Sequence, residues 1–173
     1  MVTKFENILS EPLYSDVLNH LEYLKKEESD FFNTSFTKWD SNLVNTSSPI
    51  LRYTMAANDI EIYSKIKKEV ESKIPYYVSN AVFHLFPNLS YITWHNDAHI
   101  EAALTIYLNE FWDKNWGGYL LYEEKDEIKA IKPEKNLGVL QEKKVKHCVT
   151  TTTIGAPIRT SLQFFLTVNK KLY

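Results

Sequence analysis

At 173 residues, 44% hydrophobic and 24% charged, the chain fits a single domain, 1–173, and is too short for two of typical size. A formal charge of -2 from 20 basic and 22 acidic residues argues against a nucleic-acid partner held by bulk positive charge, and Cys148, the lone cysteine, excludes a disulfide framework or a multi-cysteine metal site. No run approaches the roughly 20 apolar residues of a membrane span, and MVTKFENILSEP lacks the apolar core of a signal peptide, so a cytoplasmic protein with no membrane partner is expected.

The first predicted element is a helix from Ser10 through SEPLYSDVLNHLEYLKKEES. Ser10 can cap it, Pro12 suits its first turn, and Leu13, Val17, Leu21 and Leu24 recur at helical spacing. Residues 30–50 show no sustained period and read as a long loop with short strands. A second helix is expected to start at Asn58, with Glu61 completing a capping-box-like pair, and to run along Ile60, Tyr63, Ile66, Val70 and Ile74 until Pro75 stops it.

After Pro75 eight short runs rich in β-branched and aromatic residues follow one another: SNAVFHLF, LSYITWHND, AALTIYLN, GYLLYEE, EIKAIK, LGVLQE, VKHCVT and IRTSLQFFLTV. Strands in series without intervening helices predict a mainly β sandwich or barrel with the two helices packed outside it. Residues 1–78 would be helical support and loop, and 79–173 the barrel core.

The chemistry concentrates in three residues. On a strand, positions i and i+2 share a face, so His95 and Asp97 aim an imidazole and a carboxylate into one space while Asn96 faces away. His147 lies in a separate run, and barrel closure could bring it opposite the pair. Two histidines and one carboxylate leave coordination positions open, which suits non-haem Fe(II). Twelve residues on, Arg159 is one of only two arginines, and Ser161 shares its face. A guanidinium inside a barrel needs a partner, and its fork matches a carboxylate. Tyr107 can add a phenol to the same carboxylate.

With H-x-D at His95 and Asp97, then LTIYLNEFWDKNWGGYLLY, then His147, Arg159 and Ser161, the chain resembles the Fe(II)- and 2-oxoglutarate-dependent oxygenases, and most closely their prolyl-4-hydroxylase-like branch, over roughly residues 80–168. The resemblance implies a double-stranded β-helix, a jelly-roll or cupin-like barrel flanked by N-terminal helices. It implies that His95, Asp97 and His147 bind iron and that Arg159, with Tyr107 and Ser161, holds the distal carboxylate of 2-oxoglutarate. The implied cofactors are Fe(II), 2-oxoglutarate as cosubstrate and O2, with ascorbate as an optional reductant. The implied reaction hydroxylates a C–H bond, foremost of a prolyl residue in a protein or peptide, with succinate and CO2 as coproducts.

Two departures stand out. Where many relatives carry a tyrosine on the first core strand, HLFPN offers Leu85 and Phe86, and Tyr91 and Thr93, expected on the face of His95, would replace it as cosubstrate contacts. The stretch from Asp97 to Ala102 is also short for a specificity loop. Rival readings are a hydroxylase of a free amino acid or other small molecule, which a closed lid from residues 30–58 would favour, and an inert barrel serving as a binding module.

Other residues read more plainly. His95 and His99 have the H-x-x-x-H spacing of helical zinc sites, but Asn96 stands where those need glutamate and SYITW favours a strand. His99 is expected near the site mouth, and His20 and His84 as structural histidines. Cys148 alternates away from His147 as a packed thiol. Trp112 and Trp116 are expected to cap the barrel, with substrate stacking as the alternative, Arg52 to meet a surface carboxylate ahead of a substrate, and EEKDEIKAIKPEK to form a solvated hairpin.

Overall fold

The computed structural model describes residues 1–27, 33–35, 50–55, 59–97 and 99–168. In chain order its elements are β1 (Val2–Phe5), α1 (Glu11–Glu27), β2 (Asn33–Ser35), β3 (Ile50–Thr54), α2 (Ile60–Glu71), β4 (Tyr77–Phe86), β5 (Ile92–His95), β6 (Ala102–Tyr107), a 3-10 turn (Lys114–Trp116), β7 (Leu120–Glu124), β8 (Glu127–Ile131), β9 (Gly138–Glu142), β10 (His147–Val149) and β11 (Arg159–Thr167). The eight strands after Pro75 are those expected. Residues 30–32, 36–49 and 56–58, most of the segment 30–58 expected to tell a peptide from a small-molecule substrate, lie outside the described residues.

All named strand pairs are antiparallel and form two sheets. The larger has the order β1-β9-β6-β11-β4-β3-β2 and the smaller β5-β10-β7-β8, a jelly-roll arrangement. Strand alternation divides the labour of the large sheet. Phe83 and Leu85 on β4, Leu104 and Ile106 on β6, and Leu162 and Phe164 on β11 are buried in one cluster with Val17, Leu21 and Leu24 of α1 and Ile66 and Val70 of α2. Full burial of each such side chain is worth about 1.5–3 kcal/mol, so this layer anchors the fold. The alternate residues of the same strands face the other sheet.

Helix α2 starts differently from expectation. Its N-cap is Asp59, and Asn58 lies outside the described residues. The Asp59 carboxylate makes no capping bond; it is spent on tertiary contacts, accepting from the Tyr53 hydroxyl at 3.0 Å and meeting His20 Nε2 at 2.6 Å. Glu61 pairs with Lys65 one turn later at 2.8 Å. The helix ends at Glu71, ahead of Pro75, and the Glu71 carboxylate accepts from the Val78 backbone N–H at 2.7 Å, joining the helix end to β4. Lys125 and Asp126, both at positive φ, make the tight turn between β7 and β8, the expected hairpin.

Candidate active site

Between the two sheets lies a cavity of about 240 Å³. From the large sheet it receives Ile50 and Arg52 (β3), His84 and Phe86 (β4), Arg159, Ser161 and Gln163 (β11) and Tyr107 (β6). The small sheet supplies His95 and His147, with Asp97 and His99 from the segment after β5. His95 and His147 are register partners on neighbouring strands, with ring centroids 4.2 Å apart. Asp97 follows two residues beyond the end of β5 and is buried, while Asn96 is exposed.

The three candidate ligand atoms lie within 4.8 Å of one another. His95 Nδ1 is 2.8 Å from the Thr93 carbonyl and His147 Nδ1 is 2.9 Å from the Val145 carbonyl. Since a carbonyl only accepts, each Nδ1 carries the proton and each Nε2 keeps its lone pair for an ion. The Nε2 atoms stand 3.9 and 3.7 Å from the Asp97 carboxylate oxygens, too far for hydrogen bonds, and Asp97 Oδ1 is buried without a hydrogen-bond partner. A buried carboxylate oxygen without a partner, beside two preset imidazoles, fits a divalent cation, and the two-histidine, one-carboxylate set with open positions fits ferrous iron.

Arg159 is 2% exposed, and its guanidinium carbon lies 4.5 Å from the Phe86 ring centroid and 5.0 Å from that of Tyr107. Its Nε and the Tyr107 hydroxyl are both buried without hydrogen-bond partners. Burial raises the Tyr107 pKa against an opposing pull from Arg159, so the phenol keeps its proton as a donor. Ser161 sits in register between Tyr107 and His84. Two partnerless donors and a hydroxyl converging in a buried pocket fit an anionic, carboxylate-like end group. Gly118, at φ +66, makes this possible, because a Cβ there would stand 3.0 Å from Arg159 Cδ.

Several expectations need correction. Tyr91 and Thr93 are not among the cavity-lining residues. His147 pairs with His95 but Val149 pairs with Ile92, so β5 carries one extra residue; this bulge breaks the alternation and turns Ile92, rather than Thr93, to the cavity. Arg52, expected to meet a surface carboxylate ahead of a substrate, and His84, expected as a structural histidine, both line the cavity. The alternation of ILRYT and VFHLF carried that signal, since Leu51, Tyr53, Phe83 and Leu85 take the opposite face. Trp112 is buried and donates to the Gly117 carbonyl at 2.9 Å, Trp116 packs edge-on against it, and His99 lines the cavity as expected.

Burial, with smaller contributions from the Arg52 and Arg159 charges, pushes the His84 pKa down to about 3. The folded protein therefore holds His84 neutral, while the unfolded chain protonates it near its ordinary 6.5. Because the unfolded state then binds more protons, His84 costs stability as pH falls below about 6.5. His84→Gln is expected to flatten the decline of stability between pH 6.5 and 4 in urea titrations; an unchanged slope would show that His84 titrates normally.

The 2OG-Fe(II) oxygenase superfamily model matches residues 81–167, about half the chain. No curated protein matches it. Among solved structures, a Pseudomonas putida prolyl-4-hydroxylase is similar at 14% identity and TM-score 0.71, over 98% of this chain and 93% of that one. A Trichoplax adhaerens prolyl hydroxylase, in complex with a hypoxia inducible factor oxygen degradation domain peptide fragment, is similar at 14% identity and TM-score 0.76, over 95% and 82%. The viral collagen prolyl hydroxylase of Paramecium Bursaria Chlorella virus-1, in a 2OG complex, is similar at 13% identity and TM-score 0.68, over 95% and 94%. At such identities the likeness concerns the fold.

Proposed function

Because the chain belongs to the 2OG-Fe(II) oxygenase superfamily, whose members use Fe(II), 2-oxoglutarate and O2, we propose that it is a dioxygenase that hydroxylates an unactivated C–H bond. The observation that carries this reading is the single cavity shared by His95, Asp97, His147 and Arg159. When bound, ferrous iron supplies the redox chemistry by which one O2 converts 2-oxoglutarate to succinate and CO2 and a substrate C–H to C–OH.

The protein's own part is to hold and orient. His95 Nε2, His147 Nε2 and an Asp97 oxygen would hold the ion. Arg159 and Tyr107, with Ser161 beside them, would bind the distal carboxylate of 2-oxoglutarate. Phe86, Ile92 and Val149 form a buried apolar cluster with Ile50 at the same cavity, which keeps bulk water from the reacting atoms.

Two substrate classes stand behind the reaction. A prolyl residue of a protein or peptide is supported by the fold likeness to prolyl hydroxylases. A free amino acid or other small molecule is supported by the second arginine, Arg52, in the cavity. Protein supplied with Fe(II), 2-oxoglutarate, O2 and ascorbate is expected to form succinate slowly without substrate. A screen of peptides and amino acids by mass spectrometry is expected to yield a +16 Da product. Absence of both metal binding and succinate formation would defeat the proposal.

A further inference from the structure

Arg52 is not needed for the chemistry above, yet it lines the same cavity and its Nε is buried without a hydrogen-bond partner. Among the described residues it forms no ion pair, and the only acidic residue lining the cavity is Asp97. Strand register sets its place. Arg52 lies opposite His84, His84 opposite Ser161, and Ser161 opposite Tyr107, so one polar row crosses β3, β4, β11 and β6. Arg159 is opposite Phe86, two residues along β4 from His84 and two strands from β3. The Arg52 and Arg159 backbones are therefore separated by two strand spacings, about 10 Å, plus the offset along the strands. A five-carbon dicarboxylate has two charged ends, and with one at the metal ligands and the other at Arg159 it has no third anionic end to offer Arg52.

Charge points the same way. Fe(II), the Asp97 carboxylate, the Arg159 guanidinium and doubly charged 2-oxoglutarate sum to neutrality. His84, held neutral, adds nothing. Arg52 is left as one uncompensated positive charge in a partly enclosed site, which favours a counter-anion. Neutral His84 at its side can contribute a hydrogen bond without competing for that anion.

We propose that Arg52, with His84 beside it, anchors a carboxylate of the molecule that is oxidised, so that the substrate is a carboxylate-bearing compound. The assignment rests on Arg159 being the cosubstrate anchor. It is tested by calorimetry on protein loaded with redox-silent Mn(II) and 2-oxoglutarate. The probes are L-proline, the other common L-amino acids and prolyl peptides with acidic neighbours, each beside its amide or otherwise neutralised counterpart. At least one free acid is expected to bind saturably, with its neutral counterpart about 30-fold weaker or worse.

Arg52→Met is expected to weaken that binding by a similar factor and Arg52→Lys to recover part of it, with Mn(II) loading of each variant as the folding check. A free amino acid as the tightest probe marks an α-carboxylate, and an acidic peptide marks a side-chain carboxylate. Equal binding of the neutral counterpart, undiminished binding by Arg52→Met, or no binding of any carboxylate overturns the assignment. Wild type that does not load Mn(II) and 2-oxoglutarate overturns instead the oxygenase reading beneath it.

Discussion

Asp97→Ala is expected to abolish metal binding and, with it, succinate formation. The carboxylate supplies the only anionic ligand of the candidate set, and its Oδ1 is buried without a hydrogen-bond partner. Its removal leaves two neutral imidazoles, which His95 and His147 already present with their protons on the far nitrogens. Loss of a mere outer-shell partner costs about 10–100-fold in affinity or activity, so loss of a direct ligand should exceed that, by about 1,000-fold or more in turnover. Mn(II) titration and succinate release measure the two effects separately. The apo protein should remain folded, because Asp97 lies outside the apolar cluster between helices and sheet. Wild-type Mn(II) affinity in this variant would remove Asp97 from the metal site.

Arg159→Met is expected to weaken 2-oxoglutarate binding by about 30-fold to several thousand-fold, the range for truncating one partner of a buried charge pair. Arg159→Lys should fall between, since an ammonium keeps the charge and loses the two-point fork. The apo protein provides an independent readout. Burial lowers the Arg159 pKa, which marks the charged form as costly where it stands. Arg159→Met should therefore melt no lower than wild type without ligand, yet lose the rise in Tm that 2-oxoglutarate and Mn(II) give the wild type. A variant that melts much lower and still binds 2-oxoglutarate would make Arg159 a structural residue.

The β sandwich or barrel, both helices and the convergence of His95, Asp97, His147 and Arg159 on one cavity were legible because each rests on a periodic pattern or a spacing of rare residues, and the jelly-roll form followed from the family resemblance. The β5 bulge was not. An extra residue in ITWH leaves no compositional mark, and it moved Thr93 off the cavity face and Ile92 onto it. Strand β1, four residues pairing with the β9 edge, is too short to show a period. Arg52 and His84 were misplaced for another reason. A lone basic residue on a short strand resembles a surface residue until the register Arg52–His84–Ser161–Tyr107 aligns four strands into one row. Asp59 took the cap position expected of its neighbour, and its carboxylate is held by Tyr53, six residues back, and by His20, 39 residues away on the other helix.

The alternation along β4 and β11 has an evolutionary consequence. Phe83, Leu85, Leu162 and Phe164 bind the helices, while His84, Phe86, Arg159, Ser161 and Gln163 between them face the cavity. Heritable change on one set therefore need not disturb the other. A lineage built on this scaffold can change the lining of the cavity by single steps at Arg52, His84 or Gln163, without first acquiring compensating changes in the layer that keeps it folded.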